Sequence, residues 1–388
     1  MPRILMVDPG FGARSWGTFK ESHWTSIIHQ GLCGLSSCLK EKGYDDIHLA
    51  DVRQLKNESA FDGRVQEIAP DIVAMTMRSL DKYMTRDLAY RIRKVAPRAK
   101  IVVGGIHVSI DPDYCLSLDC FDHVVQGEGE ITFVELVEQL GRGETPPRHL
   151  VGISPDLDRL PWLDRELYPY HITIKKPNYE GVFSAPMVTM LCSRGCNFNC
   201  SFCQPHARKH FGKRVRMRNP QNVYEELKYL YERYHFNCVK FYDYTFTQYP
   251  EWVEAFCELY KEIAKPFWIQ SRADLVVEHP EIITMLKDVG LKMIGIGFES
   301  GSDRVLRALR KGTNRRINLE AARIIKENSV LLSGSYMLGT PTETEEDVEA
   351  TVDMVAEMKP EFTSVSFFTP IPGNDLYEVC KKKDLIIN

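Results

Sequence analysis

The stretch Pro186–Cys203, PMVTMLCSRGCNFNCSFC, decides both the fold and the chemistry that the sequence predicts. A short apolar run at its start predicts a strand, and the loop after the strand carries Cys196, Cys200 and Cys203 in the spacing C-x3-C-x2-C. Thiolates this close together on irregular backbone can bind one metal cluster from one side. A closed structural site takes four ligands, so a set of three leaves one metal position open for chemistry.

With Phe202 between the last two cysteines, this loop resembles the cluster loop of the radical S-adenosylmethionine (radical SAM) enzymes. The resemblance implies that the three cysteines hold a 4Fe-4S cluster, whose fourth iron binds the amino and carboxylate groups of S-adenosylmethionine. One alternative is a structural zinc knuckle completed by His206 or His210, and another is three unrelated buried thiols. Cys192, four residues before the motif, is interpreted as a neighbour that is not a ligand.

The composition is typical of a globular protein and limits the partners and the location that we expect. The 388 residues are 44% hydrophobic and 26% charged, which predicts two domains of ordinary size. A formal net charge of −4 offers no basic surface for nucleic acid, and no apolar run approaches the ~20 residues that span a bilayer. The eleven irregularly spaced cysteines and the lack of a signal-peptide pattern predict reduced thiols and a cytoplasmic location. An open iron would be sensitive to oxygen, so we expect an anaerobic host.

Residues 1–140 alternate short apolar runs with amphipathic stretches, a pattern typical of a parallel sheet covered by helices on both faces. The predicted fold class is therefore α/β, beginning with a doubly wound, Rossmann-like domain, which binds ligands beyond the carboxyl ends of its strands. The predicted strands are Ile4–Val7, Ile47–Ala50, Ile72–Thr76, Ile101–Gly104 and His123–Gln126. The predicted helices are Leu32–Lys42, Glu58–Ile68, Met84–Val95, Asp113–Leu118 and Glu130–Leu140.

Two segments of this half, VVGGIHVSIDPD and DHVVQGEGEITFVELVEQL, resemble the cobalamin-binding domain that precedes the barrel in one class of radical SAM enzymes. The motif Asp-x-His-x-x-Gly, whose histidine ligates cobalt in many cobalamin proteins, does not occur in the sequence. We therefore expect the lower face of cobalamin to be covered without a histidine ligand, by the loop Met77–Leu80 and above all by Arg78. The expected cobalamin contacts are Pro9, Gly10, Met77, Arg78, Ser79, Leu80, Gly104, Gly105, Ile106, His107, Gly127, Glu128 and Gly129.

Strands and helices alternate again after Met187, and six βα units in series predict an open, partial (β/α)6 barrel with its chemistry at the carboxyl ends of the strands. Residues 141–185 are predicted to be a linker, 186–375 the barrel, and 376–388 a tail. In that tail Cys380 is either a free surface thiol or a residue that folds back over the site. The predicted strands are Met187–Leu191, Val239–Tyr242, Phe267–Gln270, Met293–Phe298, Leu332–Leu338 and Val365–Phe368. The predicted helices are Asn222–Arg233, Trp252–Ile263, Glu281–Val289, Asp303–Leu309, Leu319–Glu327 and Thr344–Met358.

The strand ends of this second half also match the radical SAM pattern, which implies a partner for each part of S-adenosylmethionine. The resemblance implies a carboxylate for the methionine amino group (Asp243), a guanidinium for the methionine carboxylate (Arg272) and a carboxylate for the ribose hydroxyls (Glu299). Leu338 and Gly339 would lie near the adenine. The residues expected to contact S-adenosylmethionine are Phe202, Asp243, Ser271, Arg272, Glu299, Ser300, Leu338 and Gly339.

Several of these positions also have an ordinary structural interpretation. Gly301–Asp303 could serve only to begin the following helix, and Thr342–Glu345 could be only a capping segment. Asp243 and Arg272 could form a structural ion pair.

The resemblance implies a cobalamin-dependent radical SAM C-methyltransferase, which cleaves S-adenosylmethionine to a 5′-deoxyadenosyl radical and methylates an unactivated carbon through methylcobalamin. One alternative keeps the fold and performs ring closure, rearrangement or oxidation without net methylation. Two others are a protein whose first domain is a regulatory sheet without cobalamin, and a zinc-binding interaction module. The expected partners are an electron donor such as ferredoxin or flavodoxin and an unidentified substrate, which is a small molecule or a side chain of a protein. The sequence identifies no catalytic side chain.

Overall fold

The structure is a computed structural model, and the parts of the chain that it describes are residues 1–10, 16–17, 27–175, 181–203 and 214–386. The chain divides into two compact units, Met1–Asn178 and Tyr179–Asn388. His206 and His210, the two histidines of the zinc alternative, lie outside the described residues. None of the helices in the described ranges combines the length and the hydropathy needed to cross a bilayer.

The first unit contains one sheet and the helices that cover it. Its strands are β1 (Ile4–Asp8), β2 (Ile47–Asp51), β3 (Ile72–Thr76), β4 (Lys100–Gly104), β5 (His123–Gln126) and β6 (His149–Val151). Its α-helices are Gln30–Glu41, Glu58–Ile68, Lys82–Val95, Ile106–Ile110, Pro112–Leu116, Glu130–Gly141 and Tyr170–Thr173, and its 3-10 turns are Val52–Gln54, Leu157–Arg159 and Arg165–Leu167.

The strands of this first sheet are all parallel and lie in the order β2-β1-β3-β4-β5-β6. The order reverses between β1 and β3, and such a switch point is where doubly wound sheets bind ligands. Alternate residues of β1 pack into different apolar clusters on the two faces: Leu5 and Val7 into one, Ile4 and Met6 into the other. Both faces are covered, which is why the strand reads as a continuous apolar run.

The predicted linker 141–185 contributes a strand that the sequence did not predict. Its residues His149–Val151 form β6, which pairs in parallel with β5 and extends the first sheet. Its Tyr168 is 2% exposed and donates a hydrogen bond from its hydroxyl to Asp8 Oδ2 at 2.8 Å. This strand has three residues, of which only one is partly buried. It therefore has no hydrophobic pattern from which the sequence could predict it.

The second unit begins with the quoted stretch and again alternates strands and helices. Its strands are β7 (Met187–Met190), β8 (Ser193–Arg194), β9 (Arg216–Met217), β10 (Cys238–Phe241), β11 (Phe267–Ser271), β12 (Leu291–Glu299), β13 (Leu331–Leu338) and β14 (Phe362–Phe367). Its helices are Pro220–Tyr234, Pro250–Tyr260, Ala273–Glu278, Pro280–Asp288, Asp303–Ala308, Arg315–Glu327, Glu345–Met358 and Asp375–Lys382.

Six of these strands form a parallel sheet in the order β14-β13-β12-β11-β10-β7, and β8 pairs with β9 in a separate antiparallel ribbon. One apolar cluster takes a side chain from every strand of the six-stranded sheet: Met187, Cys238, Trp268, Met293, Leu331 and Phe362. Side chains of the two edge strands can share a cluster only if the sheet curls, so this cluster forms the floor of an open barrel. The prediction of a partial (β/α)6 barrel after a Rossmann-like domain is confirmed.

The last helix in the described residues, Asp375–Lys382, was not predicted from the sequence. Leu376 packs with Met337 and Phe202, and its backbone N–H donates to the carbonyl of Ser201 at 3.0 Å. Cys380, four residues along the same helical face, is 3% exposed. The prediction that Cys380 is a surface thiol is therefore wrong, and the helix that carries it folds back onto the cluster loop.

Candidate active site

The eleven cysteines are all free, and burial separates those of the motif from the rest. Eight are buried, whereas Cys196 and Cys200 are partly exposed and Cys203 is exposed. Burial raises the pKa of Cys192 well above its ordinary value, and the nearby Asp243 carboxylate raises it further. Because metal binding requires a thiolate, the buried Cys192 is a poor ligand and the three motif cysteines are the accessible ones.

The base of the cluster loop is closed by the ribbon of β8 and β9 and by a buried carboxylate. Asp243, which follows β10, is fully buried, and its Oδ1 accepts from the backbone N–H of Cys192 at 3.0 Å and from the hydroxyl of Ser193. Burial raises the pKa of Asp243 to about 6, although both of these hydrogen bonds lower it. The structure thus places Asp243 against the loop backbone, and its role toward the methionine amino group stays a prediction.

The middle of the cluster loop is held by backbone contacts to later parts of the same unit. Ser201 donates from its N–H to the carbonyl of Leu309 and from its hydroxyl to the carbonyl of Ala308, both at 2.9 Å. The side chain of Asn374 donates to the carbonyl of Phe202 at 3.1 Å. These contacts fix the backbone between Cys200 and Cys203.

Arg272, at the end of β11, lies beside one of the motif cysteines. Its Nη1 is 3.5 Å from Cys200 Sγ, and its guanidinium carbon lies 3.6 Å from the centroid of the Phe198 ring. Asp274 accepts from Arg272 Nε at 3.0 Å and from Nη2 at 2.8 Å, and the carbonyl of Lys311 accepts from Nη2 as well. Arg272 and Asp243 have different partners, so the alternative of an ion pair between them is wrong. The structure therefore places a guanidinium beside one of the three motif sulfurs.

Glu299, at the end of β12, is paired with a lysine that sequence reasoning missed. Lys311 Nζ lies 2.9 Å from Glu299 Oε1 and 5.7 Å from the centroid of the Phe202 ring. Glu299 has a φ of 67°, at the point where the register between β12 and β13 shifts. A Cβ at Gly297 would lie 2.5 Å from Glu299 Oε1, so a side chain there would displace the Glu299 carboxylate from this position. The sequence signal that could have indicated this pair is Lys311 itself, a basic residue shortly after helix Asp303–Ala308.

The other residues expected to contact S-adenosylmethionine have polar partners within this unit. The Ser271 hydroxyl bonds to that of Thr247. The fully buried Ser300 accepts from the N–H of Ser302 at 3.1 Å. The N–H of Gly339 donates to the carboxylate of Glu343. The proposed contacts of these residues with the nucleotide therefore stay predictions.

The two segments that were alternatively interpreted as helix caps do cap helices. The Ser302 side chain caps helix Asp303–Ala308 by accepting from the N–H of Val305. Thr344 and Asp347 form a capping box at the start of helix Glu345–Met358.

Two of the accessible thiols have a common neighbour. The charges of Cys196 and Cys203 add to burial in raising the pKa of Tyr244 to about 12. Within the described residues, no three His, Cys, Asp or Glu side chains converge on a point that could hold one ion. The histidines of the zinc alternative, His206 and His210, lie outside these residues. Each cysteine of a 4Fe-4S cluster binds a different iron, so three thiols of one loop can hold a cluster without converging on one point.

In the first unit, the loops predicted to bind cobalamin form one continuous hydrogen-bonded edge. Arg78 Nη2 donates to the carbonyl of Gly10 and thereby joins the loops after β3 and β1 across the switch point. The N–H of Met77 donates to the carbonyl of Gly104 at 2.9 Å, and that of His107 donates to the carbonyl of Met77 at 3.0 Å. Gly127 extends the edge, since its N–H donates to Ser109 Oγ at 2.9 Å.

This edge has features that fit a flat ligand rich in amide groups. Gly105 has a φ of 104°, and a Cβ there would lie 2.8 Å from Thr76 Oγ1 and 2.9 Å from the carbonyl of Met77. His107 Nδ1 lies 3.1 Å from Ser79 Oγ, whereas its buried Nε2 has no hydrogen-bond partner among the described residues. A buried nitrogen without a partner suits a ligand that carries hydrogen-bonding groups. Leu80 differs from the other loop residues, because it is 79% exposed.

A buried polar group beneath this edge was missed by sequence reasoning. Arg53 is 1% exposed, with Nε 2.8 Å from Asp51 Oδ1 and Nη2 3.3 Å from Asp8 Oδ2. Asp8 Oδ1 in turn accepts from the N–H of Gly10 at 3.0 Å. Burial alone would raise the pKa of Asp8, but Arg53 and His29 lower it, so the carboxylate is ionised and fixes the loop after β1.

Comparison with protein families assigns both units. Residues 190–355 match the family model described as the radical SAM superfamily, and residues 26–137 match that of the B12 binding domain. This chain belongs to the radical SAM superfamily, in the class that also carries a B12-binding domain. The predicted family and fold are confirmed, and the two domains imply a 4Fe-4S cluster, S-adenosylmethionine and cobalamin as cofactors.

Two similar proteins match this chain over almost its whole length. An uncharacterised methyltransferase of Pyrococcus horikoshii is 28% identical over 386 residues, which cover 92% of this chain and 79% of that protein. An anaerobic magnesium-protoporphyrin IX monomethyl ester cyclase of Rubrivivax gelatinosus is 24% identical over 408 residues, which cover 97% of this chain and 69% of that protein.

The fold is also that of a solved radical SAM structure with both domains. The radical S-adenosylmethionine methyltransferase TsrM of Kitasatospora setae, with cobalamin and a 4Fe-4S cluster bound, superposes with a TM-score of 0.73. The match has 18% sequence identity and covers 98% of this chain and 75% of that chain. At that identity the likeness establishes the fold.

Proposed function

We propose that this protein is a cobalamin-dependent radical SAM methyltransferase that methylates an unactivated carbon of its substrate. The observation that carries the proposal is the presence of a B12-binding domain and a radical SAM domain in one chain, at residues 26–137 and 190–355. When bound, the cluster with S-adenosylmethionine supplies a 5′-deoxyadenosyl radical, and cobalamin supplies the methyl group. The protein itself binds and orients these groups and excludes water.

In the barrel domain, we assign Cys196, Cys200 and Cys203 as the cluster ligands. Asp243 and the ribbon of β8 and β9 hold the base of their loop, and Ser201 holds its middle, so the thiols keep their positions before the cluster binds. Arg272 donates toward the sulfur of Cys200 and stabilises its negative charge.

At the strand ends we assign the nucleotide contacts by their remaining hydrogen-bonding capacity. Lys311 engages one oxygen of Glu299, which leaves the second oxygen to accept from the ribose hydroxyls. Leu338 and Gly339 end β13 and are assigned to the adenine, while Ser271 and Ser300 support the site from beneath through their hydroxyl groups.

In the first domain, we assign cobalamin to the edge formed by the loops after β1, β3, β4 and β5. We assign His107 Nε2, which is buried and has no hydrogen-bond partner among the described residues, to an amide side chain of the corrin. The lower face is assigned to the loop Met77–Leu80 without a histidine ligand. Arg78 is held there by Asp81, whose Oδ1 accepts from the backbone N–H of Arg78 at 2.7 Å and whose Oδ2 accepts from Arg78 Nε at 2.5 Å.

The remaining parts of the proposal rest on the family and on composition. An electron donor such as ferredoxin or flavodoxin reduces the cluster, and the substrate is a small molecule or a side chain of a protein. The protein acts in the cytoplasm of an anaerobic cell. The proposed domain boundaries are 1–140 for the cobalamin domain, 186–375 for the barrel and 376–388 for the tail, with 141–185 as a linker whose residues His149–Val151 add the sixth strand to the first sheet.

The test measures both products of S-adenosylmethionine in one assay. The anaerobically reconstituted protein is incubated with S-adenosylmethionine and a chemical reductant, with and without cobalamin. We expect 5′-deoxyadenosine in both samples and S-adenosylhomocysteine only with cobalamin, because only methyl transfer leaves that product. The variant Cys200→Ala should lose 5′-deoxyadenosine. Formation of 5′-deoxyadenosine without any S-adenosylhomocysteine would contradict the proposal.

The similarity to the anaerobic cyclase favours one second candidate, a radical SAM enzyme that closes a ring or oxidises its substrate without net methylation. This candidate predicts that the assay yields 5′-deoxyadenosine and no S-adenosylhomocysteine. The name methyltransferase recurs among the other relatives, including a hopanoid C-3 methylase of Methylococcus capsulatus that is 26% identical, so methyl transfer is the better supported function.

A further inference from the structure

Lys240 lies on the inner face of the barrel, just above its apolar floor. The neighbouring Phe241 points outward, since its ring packs 5.6 Å from that of Phe256 on helix Pro250–Tyr260. Side chains alternate along a strand, so Lys240 faces inward, in register with Thr189 of β7 and Trp268 of β11. It is 7% exposed.

Two aromatic rings flank the amine of this lysine. Lys240 Nζ lies 3.8 Å from the centroid of the Trp268 ring and 4.4 Å from that of Tyr242. Trp268 belongs to the floor of the barrel, whereas Tyr242 directly follows β10 on the side of the active site. Lys240 is therefore positioned between the floor and the strand ends that carry the candidate nucleotide contacts.

The strand that crosses the middle of the inner face carries glycine at two successive inward positions. Above Met293, β12 presents Gly295 and Gly297 to the interior, with Gly295 in register between Gln270 of β11 and Ser333 of β13. A Cβ at Gly295 would meet Trp268 Nε1 at 3.4 Å. Gly295 leaves its inward position without a side chain, whereas at Gly297 the Glu299–Lys311 pair occupies that space.

The far side of the interior is lined by hydroxyl groups. We call Ser333, Ser335, Ser364 and Ser366 the serine wall. They follow the floor residues Leu331 and Phe362 on the inward positions of β13 and β14. All but the buried Ser333 are exposed. A pocket for an apolar acceptor would be lined with apolar and aromatic side chains on this side as well.

We propose that the interior of the barrel binds an anionic group of the methyl acceptor, a carboxylate or a phosphate, through the ammonium of Lys240, with the serine wall facing its other polar groups. The proposal rests on the proposed function, because the barrel interior holds the acceptor only if this chain modifies one. Ammonium and hydroxyl groups are the donors that oxyanions accept from. Burial lowers the pKa of Lys240 to about 7, so a bound anion also keeps the amine protonated.

The test uses the lysine amines of the reconstituted protein as NMR probes. Reductive methylation with 13C-formaldehyde labels them, and the signal missing from Lys240→Met identifies Lys240. The probes are sodium phosphate and sodium acetate, with acetamide and sodium chloride as controls for shape and for ionic strength. We expect an anion to raise the apparent pKa of Lys240 by about one unit in a saturable way, and neither control to do so. A response to phosphate alone indicates a phosphate group, and a response to acetate indicates a carboxylate.

Lys265 is the matched control, because its amine also lies over an aromatic ring, 5.0 Å from the centroid of Tyr231, but on the outside of the barrel. Its NMR signal should not respond to the anions. The proposal is overturned if the Lys240 amine titrates alike with and without the anions, or if the reagent does not reach it. The assay for S-adenosylhomocysteine on the unsubstituted protein is independent of this result. A chain that responds to anions and transfers no methyl group contradicts the proposed function and leaves the anion site standing.

Discussion

Burial and spacing together select the cluster ligands among the cysteines. Replacing Cys196, Cys200 or Cys203 with Ala should abolish the bound iron and sulfide, because each removes one accessible thiol. Cys192→Ala is the matched control in the same segment. It should retain the full iron content and lose about 1–2 kcal/mol of stability, since it deletes one buried sulfur atom. Elemental analysis after anaerobic reconstitution measures the iron and sulfide contents. Loss of iron in Cys192→Ala would show that the ligand assignment is wrong.

Asp243 is predicted to stabilise the backbone of the cluster loop. Asp243→Ala leaves the buried N–H of Cys192 and the hydroxyl of Ser193 without their acceptor, which should cost roughly 1–3 kcal/mol of stability and slow cluster assembly. Asp243→Asn keeps one acceptor oxygen and should be milder. Urea unfolding and the rate of iron incorporation are the measurements. Full and rapid assembly in Asp243→Ala, combined with weakened binding of S-adenosylmethionine, would instead support a role toward the methionine amino group.

For single residues, the sequence could predict which side chains belong to the site better than it could predict their partners. The motif spacing identifies Cys196, Cys200 and Cys203 because three thiols in one loop are a local pattern. The partners of Arg272 are not local: its contact to Cys200 spans 72 positions. The same holds for Lys311, whose pairing with Glu299 depends on a strand end with positive φ and on the space left by Gly297.

Among the elements, the loop between β4 and helix Ile106–Ile110 is predicted to control cobalamin binding. A Cβ at Gly105 would overlap Thr76 and Met77, and the φ of 104° is unfavourable for alanine. Gly105→Ala should therefore weaken cobalamin binding about tenfold or more, measured by equilibrium dialysis. Gly63→Ala is the matched control, because its Cβ meets nothing within 4 Å and it lies inside helix Glu58–Ile68. Equal cobalamin affinity in the two variants would contradict the assignment of this loop.

The start of helix Gln30–Glu41 gives the first unit a pH-dependent stability. His29 Nδ1 accepts from the N–H of Leu32, and Nε2 lies 3.1 Å from Thr76 Oγ1, so the capping imidazole is neutral. Burial lowers the pKa of His29 to about 4; Asp8 works against this, while Arg78 and Arg53 lower it further. The folded pKa lies below the unfolded value near 6.5, so this stabilisation is complete above pH 6.5 and is lost as the pH falls toward 4.

The loss should amount to roughly 2 kcal/mol and should appear in urea titrations at pH 7.5 and pH 5. His29→Asn removes the titrating group and keeps a residue that caps helices well, so its stability should depend less on pH in this range. An unchanged pH dependence in His29→Asn would assign the effect to another group.

The elements that could be predicted are those with a long apolar period. Strands such as Ile72–Thr76 and helices such as Glu58–Ile68 are buried enough to show their period, and both predictions match the structure residue for residue. The ribbon of Ser193–Arg194 with Arg216–Met217 could not be predicted, because two-residue strands form by tertiary pairing across a loop. The last helix, Asp375–Lys382, could not be predicted as part of the site, because its docking on Ser201 depends on the fold of the barrel.

For the whole molecule, the order of units could be predicted because each unit is a series of βα repeats with its own apolar core. The two residue patterns that mark the cofactors, a cysteine motif after a strand and glycines at three strand ends, are local and survive in a single sequence. The substrate could not be predicted, because the inward positions that would contact it, among them Lys240 and Gly295, lie on different strands and become neighbours only when the sheet curls.

The central proposal is that one chain binds both a cluster with an open iron and a corrinoid. The absorption spectrum of the protein, reconstituted anaerobically with iron, sulfide and hydroxocobalamin and then desalted, tests this most directly. We predict that the desalted protein keeps both the iron–sulfur absorption and the corrinoid bands, at one corrinoid per chain. A spectrum that keeps the iron–sulfur absorption and loses the corrinoid bands on desalting would contradict the account.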